Sequence, residues 1–120
     1  MLHRPQVSGQ PNMNAEPIVV LMTAAGAEEA TRIAELLVNR RIAACVQILP
    51  EIQSVYIWQG EVQREPEVLL LAKTTRANFA TLEQEVRAIH SYETPEIIAL
   101  SVVAGSLPYL DWLARSCAAS

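Results

Sequence analysis

Four short apolar runs, separated by polar and helix-forming stretches, constrain the fold of this chain more than any other feature of its sequence. The first is a short run rich in β-branched residues and predicts a β-strand, and the other three are interpreted as strands too. The runs are PIVVLMTA (17–24), IAACVQIL with its continuation SVYIW (42–49 and 54–58), residues 61 to about 74, and EIIALSVV (96–103). Because proline cannot donate a ladder hydrogen bond, Pro50 predicts a bulge or bend, and Pro66 predicts an edge or a second bulge.

Two amphipathic stretches between these runs predict helices. The first begins with Glu28 and Glu29, which meet the positive end of a helix dipole, and it should end near residues 39–41. The second carries an apolar stripe at helical spacing. The members of the stripe are Phe79, Leu82, Val86 and Ile89. Thr74 or Thr75 is expected to cap this second helix.

The predicted order is strand, helix, strand, strand, helix, strand, followed by a short helix over LPYLDWLARS (107–116). This is the α+β, ferredoxin-like βαββαβ arrangement, in which right-handed crossovers place both long helices on one face of a four-stranded antiparallel sheet. A long hairpin joins the second and third strands and turns at Gln59-Gly60. We expect one domain over residues 17–116, a disordered tail over 1–16 and a short tail over 117–120.

The apolar runs also predict that the chain associates with itself. The segments IVVLM, VYIW, VLLLA and IIAL are apolar at successive positions, so both faces of the sheet should be apolar. Two helices cover only one face, and a further copy of the chain is the economical cover for the other. We expect the long hairpin, with Tyr56 and Trp58 on one of its faces, to reach a neighbouring subunit.

Charge and composition exclude several classes of function. The formal charge is −4, the isoelectric point is near 5.1 and Lys73 is the only lysine, so we expect neither a nucleic-acid partner nor an anionic membrane surface. No apolar run approaches the roughly 18 residues of a membrane span, and we expect no signal peptide. The two cysteines, Cys45 and Cys117, form no disulfide framework and predict reduced thiols in a cytoplasmic protein.

The segment HSYETPE (90–96) concentrates polar side chains between a predicted helix and a predicted strand. One interpretation is structural, because His90 suits the C-terminal end of a helix and Pro95 turns the chain into the fourth strand. The other is a metal site, because an imidazole together with the carboxylates of Glu93 and Glu96 suits Zn(II) or Cu(II). The spacing leaves both interpretations open.

Two further sets of residues are candidates for binding. Cys45 can supply a thiolate to Cu(I) or zinc, although a cysteine in an apolar strand usually packs as a small hydrophobic residue. Trp58, Lys73 and Tyr92 can line a cleft between subunits, although Tyr56 and Trp58 also suit interface packing. The sequence has no phosphate-binding loop, no metallohydrolase motif and no placed nucleophile, so we do not expect an enzyme.

Four segments carry a family resemblance. They are RRIAACVQILPEIQSVYIWQGEVQ (40–63), EVLLLAKT (67–74), HSYETPEIIAL (90–100) and YLDWL (109–113). Together they closely resemble the divalent-cation tolerance protein family, CutA. The resemblance covers about residues 17–114. It implies a ferredoxin-like subunit in a compact homotrimer, linked to tolerance of divalent metals, notably copper. Family members usually have proline where Ser91 stands, and Ser91 is expected to restore a backbone donor and to loosen the turn.

Two functional hypotheses follow from the residues and the resemblance together. The first is a trimeric cytoplasmic protein that binds divalent cations, copper in particular, in response to metal stress and needs no metal to fold. The alternative is a PII-like trimeric signalling or interaction scaffold that binds a small ligand between subunits. In the first hypothesis the candidate metal ligands named above bind the cation. In the alternative, the cleft residues named above bind the small ligand.

Overall fold

The structure of the protein is a computed structural model, and it describes residues 15–118. In chain order its elements are β1 (Pro17–Ala24), α1 (Ala27–Asn39), β2 (Cys45–Trp58), β3 (Glu61–Thr75), a 3-10 turn (Arg76–Asn78), α2 (Phe79–Ile89), β4 (Ile97–Ser101) and α3 (Leu107–Ser116). The strands form one sheet in the order β2-β3-β1-β4, and every neighbouring pair is antiparallel. The predicted α+β, ferredoxin-like fold is confirmed.

The hydrophobic core lies between one face of the sheet and the helices α1 and α2. Alternate residues of β1 point to this side and are buried, which is the period of two that a strand imposes on its side chains. Residues at matching register positions on β3 and the apolar faces of both helices complete the core. Its large members are Val20, Met22, Ile33, Leu37, Leu70, Leu82 and Val86. We call the opposite side of the sheet the outer face.

The β2–β3 hairpin gives the subunit an elongated shape, which measures 54 Å along its longest axis against 26 and 22 Å across. Gln59 and Gly60 form its turn with φ angles of 53° and 82°, and positive φ at both central residues is what a two-residue type I′ turn requires. The β2–β3 register shifts by one residue between Leu49 and Ile52. The bulge predicted from Pro50 is therefore confirmed.

Two predictions concern edge positions in the sheet: the one for Pro66 is confirmed, and the one for the length of β4 is corrected. Pro66 lies opposite Gln53 in the part of β3 that β1 does not reach, because β1 pairs with β3 only over Val68–Thr75. This is an edge position, as predicted, and it tolerates a residue without an N–H. At the other edge, β4 covers Ile97–Ser101 and is shorter than the predicted 96–103.

The start of β2 differs from the prediction because the chain first completes the end of α1. Arg41 has a positive φ of 60°, and the N–H groups of Ile42 and Ala43 both donate to the carbonyl oxygen of Leu37, at 2.9 and 3.1 Å. These bonds satisfy the Leu37 carbonyl group at the helix end, as a left-handed C-terminal cap does. The ladder therefore begins at Cys45 rather than at Ile42.

The prediction that Thr74 or Thr75 caps α2 is wrong. Thr74 is buried, and its hydroxyl donates to the carbonyl oxygen of Ile42 at 2.6 Å. Thr75 precedes the 3-10 turn and makes no side-chain capping bond, and Asn78, which directly precedes α2, makes none either. The Asn78 side chain instead donates to the same Ile42 carbonyl oxygen at 3.1 Å. The two side chains thus attach the α1–β2 connection to the end of β3 and to the 3-10 turn that follows it.

Most residues of the two predicted tails lie outside the described residues, and those next to the domain are attached to it. The carbonyl oxygen of Glu16 accepts the N–H of Arg76 at 2.8 Å, and its carboxylate pairs with the guanidinium of the same arginine. At the other end, the N–H of Ala118 donates to the carbonyl oxygen of Arg41 at 2.8 Å. The domain boundaries themselves stay predictions.

The hairpin turn yields a test of local strain. Glutamine is an uncommon residue at positive φ, whereas asparagine adopts this conformation readily. We expect Gln59→Asn to raise the free energy of unfolding by roughly 0.5 kcal/mol and Gly60→Ala to lower it by about 1 kcal/mol. Urea unfolding at one protein concentration measures both, with Gln53→Asn in the straight part of the hairpin as control. A Gln59→Asn variant less stable than wild type would contradict the assignment of the turn.

Candidate functional site

His90 ends α2 and lies at the centre of the turn that leads to β4. Its side chain is 0% exposed. Nε2 donates to the carbonyl oxygen of Thr23 at 2.7 Å, and Nδ1 accepts the N–H of Tyr92 at 3.0 Å. Because a carbonyl oxygen only accepts and an amide N–H only donates, the ring is neutral and carries its proton on Nε2. Both nitrogens of His90 are therefore engaged within the fold.

The carboxylate of Glu29, in the first turn of α1, joins that helix to the same turn. Its oxygens accept the N–H of Ala25 at 3.0 Å, the N–H of Ser91 at 2.6 Å and the Ser91 hydroxyl at 3.1 Å. Burial alone would raise the pKa of this carboxyl, but the hydrogen bonds from Ala25 and Ser91 lower it below its ordinary value of 4.5. Sequence reasoning assigned Glu29 only to a helix start.

Ser91 supplies two of the three hydrogen bonds to Glu29. Proline at this position would remove both, because it has neither an N–H nor a hydroxyl. Ser91 does restore a backbone donor, as expected from the comparison with the family pattern. The expectation that it loosens the turn is wrong, since the restored donor ties the turn to α1.

Tyr92 connects the turn to the long hairpin. Its hydroxyl donates to Oε2 of Glu67 at 2.7 Å, and the hydroxyl of Ser54 donates to Oε1 of the same carboxylate at 2.6 Å. Burial and the hydrogen bond to Glu67 both raise the pKa of Tyr92 well above its ordinary value, so the phenol remains a donor at all ordinary pH values. The position of Tyr92 follows from that of its neighbours, His90 and Ser91.

A cavity of about 540 Å³ lies between the turn and the outer face of the hairpin. Its principal lining residues are Tyr56, Trp58, Tyr92, Glu65, Glu67 and Glu96. The hydroxyl of Tyr56 donates to Glu65 Oε1 at 2.9 Å. The structure thus brings together three of the four predicted cleft residues and adds Glu65 and Glu67, which sequence reasoning missed.

Lys73 and Cys45 occupy a different part of the outer face. They lie opposite each other in the β2–β3 register. The Lys73 Nζ lies 5.6 Å from the centroid of the Tyr109 ring, and the Cys45 Sγ lies 3.8 Å from the hydroxyl of that tyrosine. Both therefore pack beside α3, and neither lines the hairpin cavity.

The four predicted metal ligands do not converge in one subunit. Cys45 lies beside α3, and Glu96 lines the hairpin cavity. Glu93 and His90 both border a separate open groove beside α2, but the His90 side chain is 0% exposed and both of its ring nitrogens are hydrogen-bonded. Within residues 15–118, no group of three or more histidine, cysteine, aspartate and glutamate side chains is placed to hold a metal ion. The donors of a single subunit therefore do not fit a metal centre.

Comparisons with known proteins identify relatives across the whole fold. The sequence profile of the CutA1 divalent ion tolerance protein family matches residues 18–116. The chain is 50% identical over 95 residues to the divalent-cation tolerance protein CutA of Thermus thermophilus. The alignment covers 79% of this chain and 92% of that protein. The crystal structure of CutA1 from Oryza sativa matches with a TM-score of 0.86 and 40% identity, covering 91% of this chain and 100% of that one. The chain belongs to the CutA1 family.

The CutA1 family is named for tolerance of divalent ions and not for a reaction. Another relative, named Protein CutA 1, chloroplastic, from Oryza sativa, is 43% identical over 99 residues. That alignment covers 82% of this chain but only 56% of the rice protein, so this chain matches about half the length of that relative. No helix within residues 15–118 is long and apolar enough to cross a membrane.

The hydrogen bonds that the Glu29 carboxylate accepts from Ala25 and Ser91 predict a pH-dependent contribution to stability. Because the folded-state pKa of Glu29 is lowered from 4.5, its carboxylate stabilises the fold fully above that pH, and the contribution is lost as pH falls through the lowered value. We expect Glu29→Gln to lower the free energy of unfolding by about 1.5–3 kcal/mol at pH 7 and by much less at pH 3. Chemical unfolding at both pH values measures this, with Glu28→Gln on the exposed side of the same helix turn as control. A difference that does not change with pH would contradict the assignment.

Proposed function

We propose that this member of the CutA1 family contributes to divalent-cation tolerance as a homotrimer, assembled through the outer face of its sheet and the long hairpin. The observation that carries the proposal is the uncovered apolar surface of the single subunit. Ile98 and Leu100 of β4 are 51% and 53% exposed on the outer face, beside the half-buried Val19 and Leu21 of β1. Contiguous apolar surface of this kind is typical of interfaces.

The tip of the hairpin carries a second apolar surface, on its other side. Val55, Ile57 and Val62 extend beyond the helices and are 57%, 71% and 55% exposed. Covering each of them would contribute roughly 1.5–3 kcal/mol. A further copy of the chain is the partner that is always available, and closed symmetry limits the assembly to a defined number of copies. The resemblance to CutA supports three.

Sedimentation equilibrium tests the assembly. We expect a wild-type mass of three 13.2 kDa chains at micromolar concentration. Ile57→Asp should shift the mass towards the single chain, because a buried carboxylate without a partner disfavours the interface. Val38→Asp is the matched control, since Val38 is also an exposed apolar residue but lies on α1, on the helix side of the sheet. A wild-type mass of one chain would contradict the proposal.

Binding of divalent cations, copper among them, is the second part of the proposal. Since the described residues of one subunit provide no group of three ligands, a cation site would combine donors from more than one subunit. Glu93 and Glu96 are exposed carboxylates near the turn and have no hydrogen bond or ion pair within residues 15–118. His90 and Cys45 would contribute only after losing the contacts described above. Carboxylate oxygens combined with a nitrogen donor suit Cu(II).

Isothermal titration with CuCl₂ and ZnCl₂ tests this part. We expect the Glu93→Gln, Glu96→Gln double variant to bind Cu(II) at least about tenfold more weakly than wild type, which corresponds to about 1.4 kcal/mol. The dissociated Ile57→Asp variant should lose affinity to a similar extent, because the ligands would come from different subunits. Glu28→Gln is the control. Equal affinities in the assembled and dissociated proteins would contradict a site shared between subunits.

The hairpin cavity favours a second candidate function, a PII-like trimeric scaffold that binds a small ligand. The cavity falls within the range of about 300–1,000 Å³ that is typical of small-molecule sites, and it combines aromatic walls with a few polar groups. We propose binding rather than catalysis, because His90 is buried with both nitrogens engaged and cannot exchange a proton with a ligand there. We also propose a cytoplasmic location, which the two free cysteines support.

A further inference from the structure

The hairpin cavity combines aromatic rings with uncompensated negative charge. Tyr56, Trp58 and Tyr92 provide three aromatic side chains, whereas Glu65, Glu67 and Glu96 provide three carboxylates. No lysine, arginine or histidine is among the described residues that line it. A ligand in the cavity therefore meets aromatic faces and three carboxylate groups.

Neutral donors hold two of these carboxylates in place without cancelling their charge. Glu67 accepts the hydroxyls of Ser54 and Tyr92, and Glu65 accepts the hydroxyl of Tyr56. The hydrogen bond to Glu65 raises the pKa of Tyr56, and burial followed by the hydrogen bond to Glu67 raises the pKa of Tyr92. Both phenols therefore stay protonated and remain hydrogen-bond donors to the carboxylates. Glu96 has no such partner among the described residues.

The arrangement suits a large cation better than a metal ion. A metal ion needs oxygen ligands that converge at about 2.0–2.6 Å, and no group of three such side chains converges within residues 15–118. An organic ammonium ion spreads its charge over a larger surface, is attracted by aromatic faces within about 6 Å and interacts with carboxylates at longer range. The walls of the cavity provide both kinds of interaction.

We propose that the hairpin cavity binds an organic ammonium ion, a quaternary or alkylated amine of small size. This inference rests on the second candidate function, the binding of a small ligand, and not on the metal proposal. Trp58 lines the cavity near the hairpin tip and is 62% exposed in the single subunit. The indole ring is therefore accessible to a ligand in the cavity.

Two probe molecules of the same shape, one charged and one neutral, test whether the charge of the ligand determines its affinity. Choline carries a quaternary ammonium group, and 3,3-dimethylbutan-1-ol is its uncharged isostere with carbon in place of nitrogen. The Trp112→Phe variant leaves Trp58 as the only tryptophan, so its fluorescence reports on the cavity. At constant ionic strength we expect saturable quenching by choline and at least about tenfold weaker binding of the alcohol. Equal affinities for the two probes, or no saturation by choline, would overturn the proposal.

Charge-removing variants then test which carboxylates act. Glu67→Gln and Glu96→Gln, each in the Trp112→Phe background, should weaken choline binding about tenfold and leave binding of the alcohol unchanged. Glu96 makes no described hydrogen bond, so its variant preserves the fold even where Glu67→Gln disturbs the Tyr92 contact. Glu93→Gln, in the same turn but outside this cavity, is the matched control and should bind choline as wild type does. Equal choline affinity in the Glu96 and Glu93 variants would overturn the assignment of the site.

Sedimentation of the same samples separates this inference from the proposed function. A trimer that binds the alcohol as tightly as choline would contradict the ammonium site and leave the assembly supported. A monomer that still prefers choline would support the site and contradict the trimer. A neighbouring subunit that fills the cavity would appear as a trimer without saturable choline binding, and that result would also overturn the ammonium site.

Discussion

The buried carboxylate of Glu29 fixes the geometry on which the rest of the site depends. It accepts three hydrogen bonds, two of them from Ser91, which lies 62 residues away in the chain. A buried charge of this kind is stable only when its acceptor sites are filled, so the first turn of α1 and the turn after α2 must meet in one arrangement. Removing the Ser91 donors would leave this buried carboxylate with only the hydrogen bond from Ala25 among the three described.

Starting from the Glu29–Ser91 contact, hydrogen bonds of consecutive residues fix how the turn meets the hairpin. Ser91 is held by Glu29, and His90 is held between the carbonyl oxygen of Thr23 and the N–H of Tyr92. Tyr92 then has a defined direction and reaches Glu67. His90 acts in this sequence of contacts as a positioning residue, which explains why a histidine at the end of α2 is completely buried. Because both of its ring nitrogens are engaged in these contacts, neither is available to the carboxylates with which a metal site was predicted.

The sequence predicted the fold well where the signal was local. Apolar runs of strand length, the Gln59-Gly60 turn and the bulge at Pro50 all depend on neighbouring residues. The turn and the bulge are found where they were expected, and each expected run contains a strand, although the start of β2 and both ends of β4 differ. Two kinds of feature were not predictable. The Glu29–Ser91 contact joins distant parts of the chain, and Thr74 hydrogen-bonds to a distant carbonyl group instead of capping the helix that follows it. Glu65 and Glu67 resemble ordinary solvated strand residues until the turn is placed above them.

The bulge at Pro50 decides which side chains of the hairpin line the cavity. Before it, Leu49 faces outward opposite Leu69, and after it Ile52 pairs with Glu67, so β2 advances three residues while β3 advances two. Because side chains alternate strictly along a strand, this extra residue exchanges the two faces of everything that follows on β2.

Without the bulge, Val55 and Ile57 would lie opposite Gln63 and Glu61 and would share the face of the carboxylates. With it, Tyr56 takes the place opposite Gln63, and Trp58 the place opposite Glu61. The aromatic rings therefore join the carboxylates around the cavity, while the aliphatic side chains turn to the other side, where a second subunit can cover them. A single inserted residue thus places the aromatic side chains and the exposed aliphatic side chains on opposite faces of the hairpin.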